Sequence, residues 1–531
     1  MILPADLAAF ITMLLRGSQL AAQALLLGGL AFWLALARPL APSLQQAGPA
    51  LLSASRLWAG RAGLLLAAVA ALNVAVNILN LHQSLDLPFA MAFGAEFILW
   101  TSLAVLGGVS AWAWLRLGGG PLTILALLGS LTLVMLASLM SSHAAARLDQ
   151  RGVYMSADLL HQLGAGIWIG GIPFLLLGLG IARDSSDKAL IGLRFSHMSV
   201  CAVSALALGA AVMAIGYGGS WAAVVGTAYG AMMATKLGLL GVLLLLGLMN
   251  MLSTRNPAAD PQMRRLHDFA EIEIGIGMAI MFVAASLASS PPSIDQALDP
   301  AAIASLGEIA DRLAPHWPRL IGPAHDLITI PGATDLLAFT STDADKAWSE
   351  VNHHWAGLFL LAISLLAIAE RTGKAPWAKH WPLLFLLLAV MLFIRSDPES
   401  WPLGPIPFFQ RFLDPETAQH RLVMMLLVPF GIFEWAVRAG KLTSMRARMV
   451  FPALCALGGT LLLAHTHSLT DVKQAYLIEL THLPMGAFGI LAGWARWLEL
   501  RGRGWQARLG GWLWPICFTL VALLLIDYRE M

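Results

Sequence analysis

Apolar runs about as long as a bilayer is thick alternate with short polar stretches along nearly the whole chain. They fall at about 9–36, 58–81, 92–115, 120–141, 155–180, 196–218, 226–251 and 268–289. After a polar interval from Pro291 to Asn352 they resume at about 353–369, 380–394, 420–437, 450–466, 475–497 and 509–526. The runs are continuous and rich in Leu, Ala and Gly, without the two-residue alternation of a barrel strand. Inside lipid a backbone must satisfy its own hydrogen bonds, and a helix does so within one segment. The pattern predicts an all-α, polytopic membrane protein of about fourteen spans in two halves. The halves are residues 1–290 and 353–531, with 291–352 as an extracytoplasmic loop or cap.

Composition agrees with this reading: 58% of residues are hydrophobic, 12% are charged, and the mean hydropathy is +0.73. A net charge of +2 without a Lys/Arg block argues against a nucleic-acid partner. Cys201, Cys455 and Cys517 each stand alone in an apolar run, which suits packing and not a disulfide or Cys-x-x-Cys metal clip. The stretch Met-Ile-Leu-Pro-Ala-Asp at the start lacks a basic n-region, so the first run is expected to be a retained span. No P-loop is present, and no soluble-enzyme signature stands out; the chain is expected to be a non-enzyme, and ATP-driven pumping by it alone is not expected.

Lys and Arg flanking spans stay on the cytoplasmic side. Arg183, Lys188 and Arg194 lie in one connecting stretch, Arg255, Arg264 and Arg265 in another, and Arg438, Lys441, Arg446 and Arg448 in a third, while the alternate stretches 82–91 and 217–223 have none. Both termini are therefore expected outside. On that map His82, His143, His161, His353, His354, His420, His465, His467 and His482 all fall at outer span ends, with His316 and His325 in the outer loop. Only His197, His267 and His380 remain at the inner face. Because orientation is assigned without histidine, the clustering is an independent signal.

The fifth span opens with Tyr154-Met-Ser-Ala-Asp-Leu-Leu-His161, which spaces Met155, Asp158 and His161 three residues apart. Imidazole, thioether and a carboxylate form a plausible mixed ligand set for copper. Near the C-terminus Glu479, His482 and Met485 repeat the spacing, again where a span opens on the outer side. The spans before each close on Ser141-Ser-His143 and on His465-Thr-His467, so the halves read as a parallel internal repeat. His353-His354-Trp355 is a third candidate; adjacent histidines point about 100° apart on a helix. Met91, Met140, Met155, Met213 and Met485 offer a thioether path near the outer ends, against Met232, Met233, Met249 and Met251 elsewhere. Lys236 is the deepest cation, and Glu273 is its candidate carboxylate partner.

The residues His161-Gln-Leu-Gly-Ala-Gly-Ile-Trp-Ile-Gly-Gly171, Arg194-Phe-Ser196, Thr227-Ala-Tyr-Gly230 with Lys236, and Glu273 through Ala288-Ser-Ser-Pro-Pro292 resemble the copper resistance D (CopD) family over about 140–292. The C-terminal half resembles the extension of longer copper-associated members, with Ser349-Glu350-Val-Asn352-His-His-Trp355 as its landmark. The resemblance implies copper handling at the bacterial inner membrane, usually as uptake from the periplasm, with the copper ion as cargo and a periplasmic copper chaperone as an expected partner. The metal candidates are His143, Met155, Asp158, His161, His353, His354, His465, His467, Glu479, His482 and Met485. Two alternatives stay open: a haem-binding electron-transfer protein using paired histidines as axial ligands, and a factor that presents copper to an outer-face oxidase.

Overall fold

A computed structural model describes residues 5–44, 46–118, 120–255, 263–328, 342–410, 412, 415–463 and 472–530. Among them are 14 helices long and apolar enough to cross a membrane. The first eight are α1 (Phe10–Leu40), α2 (Ala47–Leu85), α3 (Glu96–Leu117), α4 (Pro121–Met140), α5 (Arg151–Ile181), α6 (Ser185–Gly218), α7 (Ala228–Arg255) and α8 (Arg264–Gln296). The remaining six are α9 (Asp343–Arg371), α10 (Pro376–Arg395), α11 (His420–Arg438), α12 (Met445–Leu463), α13 (Val472–Arg501) and α14 (Trp505–Ile526). The protein is thus a polytopic all-α membrane protein, as the apolar pattern predicts.

The chain forms two compact units, one of Met1–Val224 with Lys236–Leu298, the other of Val225–Thr235 with Asp299–Met531. In the first, α1 is the central element and packs on α2, α5 and α8. Its approach to α5 is a backbone contact: a Cβ on Gly170 would lie 1.8 Å from the Ala24 carbonyl oxygen, and one on Gly28 would lie 2.1 Å from the Gly170 carbonyl carbon. Glycine is the only residue that lets the helices come this close. At the same point α5 breaks, because Gly170-Gly171 ends one helical segment and Pro173 opens the next. Leu57, Leu65, Leu106, Leu125, Leu208 and Leu245 are exposed on these helices, as lipid-facing side chains are.

In the second unit α9 packs on α14, α14 on α13, α13 on α12, and α10 on α11. The core gathers Ile363, Trp381, Phe385, Phe451, Trp514 and Phe518. Trp381, Phe451 and Trp514 stand 5.6 to 5.7 Å from one another between ring centroids. Beside them Arg438 bonds Glu434 at 2.8 Å and Glu370 at 3.1 Å, while Glu499 takes Arg371, Arg496 and the Trp514 indole. Three arginines face three glutamates, so the network balances its charge where desolvation is costly.

The polar interval between the halves is more structured than its sequence pattern predicts. Ser305 and Glu308 form a capping box that starts the short helix Leu306–Leu313. A second capping box, Thr342 with Asp345, starts α9 at Asp343, so His353 and His354 lie well inside this helix and not at its opening. Hydropathy alone missed this start because the first turns of α9 are polar and their cap is local chemistry.

Candidate metal sites

Two groups of side chains stand at the helix ends that the Lys/Arg pattern assigns to the outside. In the first unit Asp158 is buried on α5 and accepts a hydrogen bond from Gln162 at 3.0 Å. Gln162 in turn accepts from Gln23 on α1 at 3.0 Å. The ladder has a neighbour on α1 and α2, where Asn73 donates to Gln19 at 3.1 Å and Asn77 to Asn73 at 2.7 Å. Each of these amide pairs on α1 and α2 sits four residues apart in an apolar span, a signal present in the sequence that the search for metal ligands passed over.

The charges that act on Asp158 are those of Arg16, His143 and Lys236. The carboxylate whose charge acts on Lys236 is therefore that of Asp158 and not that of Glu273. Glu273 instead accepts from the side chains of Asn250 and Trp168. Sequence proximity misled the expectation: α7 and α8 are consecutive, but the charge that acts on Lys236 is that of Asp158 on α5.

His143, between α4 and α5, has a buried Nε2 with no hydrogen-bond partner. Burial, with Arg16's charge adding to it, holds this imidazole below the usual histidine range. His161 turns elsewhere: its Nδ1 lies 3.3 Å from the Leu206 carbonyl oxygen of α6. Helix geometry explains the separation, since one step of three residues leaves Asp158 and His161 pointing about 60° apart, toward different neighbours. Met155 is half-buried on the same helix. The triplet is thus one sequence spacing split between two sets of neighbours.

The second unit brings its candidates closer. His353 on α9 and His482 on α13 face each other edge to face, ring centroids 6.0 Å apart. Tyr528 stacks on His353 at 3.9 Å and meets the edge of His482 at 5.6 Å. In each histidine Nδ1 approaches the carbonyl oxygen four residues earlier, Ser349 at 2.9 Å and Ile478 at 3.0 Å. A carbonyl accepts only, so Nδ1 carries the proton and the lone pair of each ring is on Nε2. The pair is buttressed by Arg312 of the short helix Leu306–Leu313, which donates to the Leu477 carbonyl at 3.0 Å and Thr481 at 3.2 Å and lies 4.9 Å over the Tyr528 ring.

The neighbouring His354 is occupied differently. Its Nδ1 accepts from the Arg319 amide at 2.8 Å and its Nε2 donates to the Tyr528 carbonyl at 2.8 Å. Both ring nitrogens are committed, so His354 ties the cap and the C-terminal segment to α9. Replacing His354 with alanine is expected to lower the thermal unfolding midpoint while leaving the copper affinity of the folded fraction unchanged, measured by parallel melting and chelator-competition titrations. An equal loss of affinity at constant stability would contradict this assignment.

Glu479 is 6% exposed and its Oε2 has no hydrogen-bond partner, while Met485 is 3% exposed in the same helix. His465 and His467 lie outside the described residues. Among the described residues no three His, Cys, Asp or Glu side chains converge as a metal cluster. The triplets of α5 and α13 are alike in sequence and different in surroundings, one against charged groups and α6, the other against a second imidazole. Cys517 is buried, Cys455 half-buried and Cys201 exposed on α6, where packing within the unit does not cover it.

The fold defines a multi-pass α-helical membrane protein whose candidate histidines include His161, His353 and His482, each about three turns inside its helix. Residues 190–287 match the family model of Copper resistance protein D. The chain is also 31% identical over 170 residues to the Copper transport protein CutJ of Bacillus subtilis (strain 168), covering 32% of this chain and 30% of that protein. It therefore spans less than a third of the length of the curated relative it matches. Residues 190–287 are thus similar to a copper resistance family, and the two matches support a copper-related function at a membrane. No solved structure matches it.

Proposed function

We propose that the protein moves copper inward across the bacterial inner membrane, taking the ion from the periplasmic face, and that it is a transporter and not an enzyme. The carrying observation is the imidazole pair His353 and His482, with centroids 6.0 Å apart and lone pairs on Nε2. Metal–imidazole bonds of about 2.0 Å on either side of one ion place two ring centroids roughly 6 Å apart. Imidazole suits copper in either oxidation state, and a two-imidazole site holds Cu(I) without demanding further ligands. Met485 and Glu479, on the same helix as His482, are the proposed auxiliary donors. In the first unit His143 and His161 are the proposed acceptors, whereas Asp158 serves to offset the charges of Arg16 and Lys236.

A periplasmic copper chaperone is the proposed donor. The test is copper entry into proteoliposomes that hold a Cu(I)-responsive dye in the lumen. Lumenal copper that rises with the wild-type protein and stays at the empty-vesicle level with the His353→Ala/His482→Ala variant is the expected result. Copper bound on the outer face with no lumenal signal would support the presenting factor instead. A Soret band in the purified protein that is lost in the same variant would support the haem reading.

A further inference from the structure

The part of the first unit that the Lys/Arg pattern assigns to the inner side encloses a second polar site, apart from the candidate metal-binding histidines. A cavity of about 40 Å³ is lined by Trp168 of α5, Ser199 of α6, Gly247, Asn250 and Thr254 of α7 and Glu273 of α8. That is room for one water molecule or one small ion. Glu273 is 3% exposed. It accepts hydrogen bonds from the Asn250 amide and the Trp168 indole, and among the described residues no charged group acts on it.

The surrounding helices carry Arg151, Tyr154, Asp158 and His161 on α5, Asp187, Lys188, Arg194, His197, Cys201 and Tyr217 on α6, Tyr229, Lys236 and Arg255 on α7, and Arg264, Arg265, His267, Asp268, Glu271 and Asp295 on α8, and none of these lines the cavity. His267 is 3.5 Å from Glu271, and the carboxylate that acts on the buried cation of α7, Lys236, is Asp158 and not Glu273. Two neutral donors do not cancel a charge, so an ionised Glu273 in a span needs a cation beside it.

Several oxygens are placed to share such a cation. Asn250 is 7% exposed and its Oδ1 has no hydrogen-bond partner, nor has the Ser199 hydroxyl. Gly247 keeps the space beside the carboxylate open: a Cβ there would lie 3.8 Å from Glu273 Oε2 and 3.3 Å from the Trp168 ring. Met251 contributes the one sulfur of the wall. A donor set of carboxylate, amide and hydroxyl oxygens selects a small hard cation over copper.

We infer that Glu273 with Asn250 and Ser199 forms an exchangeable site for one monovalent hard cation, a proton or a sodium ion, distinct from the copper sites. The bound cation neutralises the carboxylate, and its release restores the charge. Under the transport reading above, on which this role rests, the site carries the coupling ion. The binding itself does not depend on that reading.

The test uses the full-length protein in detergent with dicyclohexylcarbodiimide, which modifies protonated carboxyls in apolar surroundings, read by mass spectrometry of the Glu273 peptide. Wild-type protein is expected to label at Glu273, and Glu273→Gln to lose that label. Sodium that lowers labelling several-fold relative to choline identifies sodium as the exchanging ion. Labelling that falls with rising pH and ignores sodium identifies the proton. Gly247→Ala, which narrows the space and keeps the carboxyl, is expected to change labelling several-fold without altering copper affinity. Glu273 that resists labelling at every pH, or is protected by Cu(I) and not by sodium or pH, overturns the inference. Copper titration at His353 and His482 is a separate readout, so either reading can fail alone.

Discussion

Replacing either His353 or His482 with alanine is expected to lower the Cu(I) affinity of the purified protein by about 100-fold or more, since even groups that only orient a ligand cost 10–100-fold. Competition with a chromophoric Cu(I) chelator measures it. The effect is large because the two rings are the facing imidazoles of the second unit, and removing one leaves a single nitrogen donor where the described residues form no larger cluster. Tyr528→Leu is expected to weaken binding less, because Tyr528 stacks on His353 and orients the ring without supplying its lone pair. Affinity unchanged in both histidine variants would remove the pair from the account.

The second large effect concerns stability. Asp158→Ala removes the buried carboxylate whose charge acts on Arg16 and Lys236, and leaving buried cations uncompensated costs up to about 3–5 kcal/mol, the range for breaking a contacting buried pair. The expected result is a markedly lower unfolding midpoint in detergent. Lys236→Met alone is expected to destabilise as well, and the double variant to lose less than the sum, since each change leaves the other partner uncompensated. Additive losses would show that the two charges do not interact. Asp158→Asn, whose amide oxygen can still accept from Gln162, separates loss of the charge from loss of the hydrogen bond.

What the sequence disclosed and what it withheld follow from the range of each interaction. The spans were legible because lipid imposes its demand residue by residue, and the hydrophobic pattern records it directly. The ends of helices were less so: α9 starts at Asp343 through a capping box in polar sequence, which placed His353 three turns deeper than its apolar run suggested. Spacing in sequence identified the chemical types at α5 and α13 without fixing their neighbours. Asp158 and His161 diverge because of helical rotation, and the real partner of His482 is His353, more than a hundred residues away. Tyr528 and Arg312 carried no motif at all. They became visible only when the C-terminal segment and the short helix Leu306–Leu313 were seen against α9 and α13. The tautomers were likewise hidden, since they depend on which carbonyl each ring meets.

The most direct test of the central claim is copper K-edge X-ray absorption on the full-length protein loaded with one equivalent of Cu(I). The account predicts nitrogen scattering with the multiple-scattering signature of two imidazoles, reduced to one in His353→Ala and in His482→Ala. A first shell dominated by sulfur, or an imidazole signal that both substitutions leave intact, would contradict it.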